Sequence, residues 1–308
     1  MTSGVVPAMP ATAAARLGAA RRELLGTALT PGYAGPAFET AAAGQMDDYF
    51  ARRLEEIRGL GLLPPAPFVL LAVGGYGRGQ LCPASDIDIL VLFAGAVPAE
   101  AQTLGQELFH PLWDLGLTLG HGVRSVADCL ELAGSDDKVL ASLLDARPVA
   151  GERAIFEAFA DGFPRLLQER GAAFLAWLFA GPAAAGLDDL GRLEPDLKDS
   201  PGALRDVHRV RWAAIVRTGS LGNPEYARLC LTFEDVMELT AAEERLLAAR
   251  SRLHLVAGGK RERLPVMLAA PLATVLGITA ETPGLAVERM LADLRRTMAT
   301  TAAIHEAV

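Results

Sequence analysis

The period of the apolar positions changes along the chain. Phe68–Val73 is an unbroken, β-prone apolar run, the mark of a buried rather than half-solvated strand. Gly74 and Gly75 interrupt it, and a second strand is predicted over Asp86–Phe93, opened by Ser85. Helical spacing of Leu104, Leu108, Leu112 and Leu115 predicts a helix over Glu100–Leu115. A third strand is expected over Leu117–Arg124, then short helices over Ser125–Leu132 and Asp136–Ala146. Upstream, residues 1–12 read as a frayed arm and Ala13–Thr27 as a helix exposing Arg16, Arg21 and Arg22. Pro31-Gly32 reads as a turn, followed by a longer helix from Ala37 to Leu60. From Gly151 onward strand signals vanish. Helical spacing recurs in 152–180, 203–218, 232–257 and 284–305, with Gly/Pro breaks at 181–186, 219–224 and 281–284.

The chemistry concentrates where the first two strands meet. Adjacent glycines let the backbone turn sharply and let an anion approach main-chain N–H groups without Cβ interference. Strand side chains alternate between faces, so Asp86 and Asp88 point one way while Ile87 and Ile89 point into the core. Two carboxylates on one face repel each other unless cations sit between them and a phosphate-bearing ligand. A phosphate-holding turn followed by a metal-binding Asp-x-Asp strand suits nucleotidyl transfer, in which two metal ions stabilise the attacking and leaving oxygens. A dinucleotide fingerprint would need a long helix after the glycines and an acid about 20 positions on. Pro83 interrupts any such helix and Asp86 arrives too early. No Gly-x-x-x-x-Gly-Lys-Ser/Thr loop occurs either.

Val73-Gly-Gly-Tyr-Gly-Arg-Gly-Gln-Leu81 and Ser85-Asp-Ile-Asp-Ile-Leu90 resemble the nucleotidyltransferase signature of the bacterial PII-protein uridylyltransferase/uridylyl-removing family, within the polymerase-β-like nucleotidyltransferases. A Trp-Asp segment leading to a Gly-His strand and an Arg, here Trp113 to Arg124, resembles the same family. So does Leu193-Glu-Pro-Asp-Leu-Lys-Asp-Ser-Pro-Gly-Ala-Leu-Arg-Asp206, which resembles the segment joining its catalytic and helical domains. Ser200 is expected to cap a helix with Pro201 in its first position, whose free N–H groups would attract phosphate. Ala203 stands where the family typically has a second glycine, a departure that bears on close backbone approach by a ligand.

The resemblance implies an α/β (α+β) nucleotidyltransferase domain with a small mixed sheet and N-terminal helices over 1–150. An all-helical domain over 151–308 would close over the cleft. It implies transfer of UMP from UTP to a tyrosine of a PII signalling protein in nitrogen regulation, with release of pyrophosphate. Asp86 and Asp88 would be the catalytic metal ligands, holding two Mg²⁺ ions, with Mn²⁺ as the alternative metal. Gly74, Gly75 and Ser85 would cradle the triphosphate, and Arg78, Lys198 and Arg205 would neutralise it. The family's HD and ACT domains are missing from this sequence, and no His is followed by Asp, so the removing activity and glutamine sensing are expected to be absent.

The usual third carboxylate of polymerase-β-like enzymes has no counterpart on the predicted third strand. Asp114, Glu194 and Asp196 are weak stand-ins, and the general base is left open. Two other readings follow: a related transferase acting on another protein or a small molecule, and a non-catalytic nucleotide-sensing module. His121 reads as packed and hydrogen-bonded, and His110, His208, His254 and His305 as surface or capping residues. Trp113, Trp177 and Trp212 read as core aromatics, and Arg209, Arg211 and Arg217 as a solvated basic face.

Bulk composition narrows the field further. The 308 residues suggest about two domains, and 51% hydrophobic with 21% charged content supports a core. A formal charge of −8 disfavours broad nucleic-acid binding but leaves room for a local basic pocket. Cys82, Cys129 and Cys230 are far apart, without zinc spacing, and read as reduced, buried thiols. No apolar run is long enough to span a membrane and no signal-peptide pattern opens the chain, so a cytoplasmic protein is expected.

Overall fold

The computed structural model describes residues 11–31, 37–180, 194–222 and 224–308. Residues 1–10 of the expected arm, Gly32 of the expected turn, the break at 181–186, Leu193 and Asn223 lie outside the described residues. A four-stranded mixed sheet has the order β3-β2-β1-β4. Its strands are β1 (Phe68–Ala72), β2 (Ile87–Phe93), β3 (Leu119–Ser125) and β4 (Arg147–Gly151). β1 is antiparallel to both β2 and β4, whereas β2 and β3 are parallel. A parallel pair needs a crossover, and helix α4 (Ala101–Asp114) supplies it.

Both sheet faces are covered, which is why the central strands read as continuous apolar runs. Leu70, Ala72, Ile89 and Val91 share a core with α1 (Ala13–Ala28), α2 (Phe38–Gly59) and α4. Val69, Leu71, Leu90 and Leu92 face the other way. They pack with residues of α5 (Val126–Ser135), α6 (Asp137–Leu143) and α7 (Arg153–Phe179). There Phe159 and Phe163 of α7, both fully buried, meet edge to face with ring centroids 5.0 Å apart.

Further α-helices among the described residues are α8 (Leu204–Thr218), α9 (Phe233–Ala257), α10 (Val266–Val275) and α11 (Pro283–Glu306). Their shared core includes Leu204, Leu246, Leu253, Leu272, Met290 and Met298, and it takes in Cys82 from the β1–β2 connection. Trp212 of α8 belongs to the sheet's core. Among the described residues no helix is long and apolar enough to cross a membrane.

Several expectations change. The helix expected over Asp136–Ala146 ends at Leu143, and Arg147–Gly151 forms a strand that the sequence reading missed. Pro148 and Gly151 hid it. Proline lacks a ladder donor and survives in a sheet only at an edge or irregularity, and β4 offers both, with a register shift opposite Leu70/Leu71. Helix α10 was also missed, because its nearly all-apolar sequence carries Pro271 and shows no amphipathic period. Cys82 and Cys129 are buried free thiols, but Cys230 is exposed.

Ser200 does not cap α8. Its hydroxyl accepts from the Asp196 amide (3.0 Å), and α8 starts at Leu204. Gly202, at φ +75°, turns the chain away from helix before that point. The Asp206 carboxylate then reaches back to the Gly202 amide (2.6 Å), so an internal anion already occupies this helix start. Ala203, at φ −82° in extended backbone and fully buried, needs no glycine. Gly202 does, since a Cβ there would collide with the Met298 backbone of α11. Gly202→Ala is therefore expected to lose more than about 1 kcal/mol of stability, while Ala203→Gly loses about 1 kcal/mol or less. Urea unfolding of both variants checks the order, and equal losses would contradict this account.

Candidate active site

The glycine turn closes β1 and opens the site. Val73 donates its amide to the Asp88 carbonyl (3.1 Å), and Gly74–Gly77 then make one helical turn, α3. Gly74 sits at φ +55°, and a Cβ there would stand 3.3 Å from the Asp88 carboxylate, so the glycine leaves that side chain its room. Gly77 packs so tightly on the Asp145 and Ala72 carbonyls that no Cβ fits. The buried Tyr76 between them donates to Asp47 (2.6 Å), and Arg147 clamps Asp47 at 2.9 and 3.0 Å while lying over the Tyr76 ring. The turn is thus pinned to α2 and β4.

Asp88 lies within β2 and Asp86 just before it, and both line one cleft of about 500 Å³, a volume typical of small-molecule sites. Burial, and then the neighbouring charge of Asp86, raise the Asp88 carboxyl above its ordinary range, while Lys198, Lys260 and Arg78 pull it back. Gly120 of β3 lies opposite Asp88 in the ladder, and a side chain there would strike the carboxylate.

All eight residues singled out in the sequence line this cleft: Gly74, Gly75, Arg78, Ser85, Asp86, Asp88, Lys198 and Arg205. Arg78 is anchored inside the protein. Its guanidinium donates to the fully buried Asp145 (2.6 Å) and to Gln80 (2.9 Å). Asp145 also accepts from Arg211 (2.8 Å) and the Trp212 indole (2.8 Å), so one carboxylate ties the glycine turn to α8. Arg205 pairs with Asp199 (3.0 Å), and the Ser85 hydroxyl meets Arg250 at 3.4 Å.

The sequence reading missed Lys138, Arg250, Lys260, Trp177 and His208, all on the cleft wall. Arg250 donates twice to Glu262 (2.6 and 2.7 Å) and once to Cys82 Sγ (3.1 Å). Burial pushes Glu262 upward, but those bonds and the charge of Arg250 outweigh it and leave the carboxyl well below its ordinary range. Lys260 Nζ lies 2.6 Å from Asp86. Arg78, Lys138, Lys198, Arg205, Arg209, Arg250 and Lys260 thus face a cleft whose only acidic lining residues, among those described, are Asp86 and Asp88. The acidic chain does hold a basic pocket. Its cations come from segments far apart in sequence, and of these residues only those inside a motif carried a local signal.

Ala141, Trp177, Leu178, Leu204, Trp212 and Leu247 give the same cleft apolar wall. Trp212 is buried as expected, whereas Trp177 and Trp113 are 40% and 42% exposed. His208 and His254 are buried rather than on the surface. His121 is exposed and packs at an angle against Phe109 and Trp113 (centroids 4.9 and 5.8 Å). Arg211 and Arg209 are engaged with Asp145 and Asp206 rather than freely solvated.

Two hard carboxylates beside a cation-lined cleft suit Mg²⁺, which binds through one or two carboxylates and completes its shell with water and phosphate oxygens. Asp114, Glu194 and Asp196 do not line the cleft: Glu194 accepts from the Val266 amide, and Asp196 from the amides of Lys198 and Asp199. Among the described residues no group of three or more His, Cys, Asp or Glu converges as a metal cage.

The buried His208 makes a pH prediction. Burial first, and then Arg78, Arg205, Arg211 and Arg250, hold its pKa well below the ordinary value of 6.5. Below about pH 6.5 the unfolded chain binds a proton that the folded chain refuses, so stability drops as the pH is lowered, by up to about 1.4 kcal/mol per unit. His305 contributes in the same direction. In urea melts at pH 7 and pH 5.5, His208→Gln should lose less stability on acidification than the wild type. An identical loss would contradict the assignment.

The family described as GlnD PII-uridylyltransferase matches residues 186–308. The bifunctional uridylyltransferase/uridylyl-removing enzyme of Thiobacillus denitrificans is 40% identical over 232 residues, 72% of this chain and 26% of that protein. The like-named enzyme of Burkholderia orbicola is 38% identical over 215 residues, 69% of this chain and 25% of its own length. That of Cupriavidus metallidurans is 35% identical over 242 residues, covering 75% and 27%. The chain spans about a quarter of the length of the curated relatives it matches. Residues 186–308 thus match the GlnD PII-uridylyltransferase family, and about 70% of the chain is similar to the bifunctional uridylyltransferase/uridylyl-removing enzymes.

Proposed function

We propose that this chain is a metal-dependent nucleotidyltransferase that moves UMP from UTP to a tyrosine of a PII signalling protein and releases pyrophosphate. The observation that carries this reading is the joining of Gly74-Gly75, Asp86 and Asp88 in one cation-lined cleft. Residues 1–150 act as the nucleotidyltransferase domain with its N-terminal helices, and residues 151–308 as the helical domain that closes the cleft. The setting is nitrogen regulation in the cytoplasm.

The apolar wall of Trp177, Leu178, Trp212 and Leu247 offers a surface for the base. Gly74 and Gly75 admit the triphosphate close to the main chain, and the Ser85 hydroxyl is placed for a hydrogen bond to it. Lys138 and Lys198 have no ion-pair partner among the described residues and meet phosphate charge directly. Arg78, Arg205, Arg209 and Arg250, each held by a carboxylate, add a positive field. When bound, Mg²⁺ at Asp86 and Asp88 supplies Lewis-acid stabilisation of the oxygens of the displacement. The acceptor phenol has a free pKa of about 10, and the cations lining the cleft favour its ionised form. UTP is the nucleotide because the relatives are uridylyltransferases.

The absence of a third carboxylate from the described lining favours a second reading, a nucleotide-sensing module without turnover. Intact mass spectrometry of a PII protein from the same source, incubated with the chain, Mg²⁺ and each of the four NTPs in turn, separates the two. The expected result is one UMP added per PII subunit with UTP alone, and none with the Asp86→Asn/Asp88→Asn double variant. No mass gain with any nucleotide, while UTP still binds, would move the assignment to the sensing module.

A further inference from the structure

Resting on the uridylyl-transfer reading, we infer that Lys260 is a phosphate-binding residue that is latched to Asp86 and exchanges onto the nucleotide's phosphates when a divalent cation takes the carboxylate. The cleft cations differ in how firmly they are held, and five of the seven show the contrast. Arg78 and Arg250 are locked by carboxylates, with side chains only 10% and 9% exposed. Removing either from its partner would strand a buried charge, so neither is free to follow a ligand. Lys138 and Lys198 have no carboxylate partner among the described residues. Lys260 is intermediate: its ammonium lies 2.6 Å from Asp86 Oδ2, but the two side chains are 46% and 40% exposed. A half-solvated pair opens at little cost.

Its position suits an exchange. Lys260 follows Gly258, in left-handed backbone at φ +68°, and Gly259, beside which an added Cβ would meet nothing. This connection between α9 and α10 carries a long, flexible side chain to the mouth of the sheet. There the ammonium offsets the mutual repulsion of Asp86 and Asp88. A divalent cation on Asp86 and an ammonium at 2.6 Å from the same oxygen repel each other. Metal entry would therefore release Lys260, and the nucleotide's phosphates would be the new negative charge for it to meet. The swap leaves the net charge of the filled cleft more balanced than either partner alone would. It also places a cation from the C-terminal part of the chain on a ligand held by the glycine turn.

The two halves of the inference predict effects of opposite sign. Calorimetry on the full chain would measure Mn²⁺ alone, and separately UTP and inorganic pyrophosphate with Mg²⁺, for the wild type, Lys260→Met and Lys260→Arg. Loss of the latch should tighten Mn²⁺ binding by roughly two- to fivefold, the range that a half-exposed ion pair holds back. The same variant should bind pyrophosphate and UTP about tenfold more weakly, for want of one charge-assisted contact. Lys260→Arg should stay near wild type in both. Unchanged or weaker Mn²⁺ binding by Lys260→Met would overturn the latch, and unchanged pyrophosphate binding would overturn the phosphate role. Failure of the wild type to bind UTP would sink the uridylyl reading but leave the Mn²⁺ and pyrophosphate comparisons to decide on Lys260.

Discussion

Two carboxylates at the mouth of one strand repel each other, and much of this chain is arranged around that constraint. Asp86 and Asp88 face a common cleft because strand geometry repeats every two residues. Their neighbours give way: Gly74 and Gly120 lack the side chains that would press on Asp88. Cations gather around them from α6, the segment before α8, α8 itself, α9 and the α9–α10 connection. The cleft is basic although the chain as a whole carries −8.

A second, buried carboxylate makes the arrangement rigid. Asp145 is fully buried and binds Arg78, Arg211 and the Trp212 indole, so the turn after β1 and helix α8 share one anchor. Such a node is satisfied only when every partner is present, and losing one leaves a buried charge uncompensated. Arg250 does the same on the other flank, joining Glu262 to Cys82 and Ser85. Arg78 and Arg250 are thereby held at the cleft by pairs distant in sequence rather than by local loops, a preorganised setting for charge stabilisation.

The sequence was most legible where one local rule decides the outcome. The unbroken apolar run of β1, the alternation in β2 and the adjacent glycines led directly to the sheet centre and to Asp86 and Asp88. It was least legible where tertiary context overrides local signal. Pro148 hid an edge strand, and Gly202 with Asp206 displaced the cap expected at Ser200. Lys260, Lys138 and Arg250 carried no motif, since only the fold brings positions so far apart to one cleft. His208 and Asp145 are the same kind of miss: polar residues in ordinary helical or turn sequence whose burial is set by distant partners.

The most direct test of the central claim is a crystal structure of the chain grown with Mn²⁺ and a non-hydrolysable UTP analogue, with anomalous scattering used to locate the metal. The account predicts Mn²⁺ between the Asp86 and Asp88 carboxylates, with the phosphates lying against Gly74 and Gly75. Metal bound elsewhere, or a nucleotide seated away from the glycine turn, would contradict it.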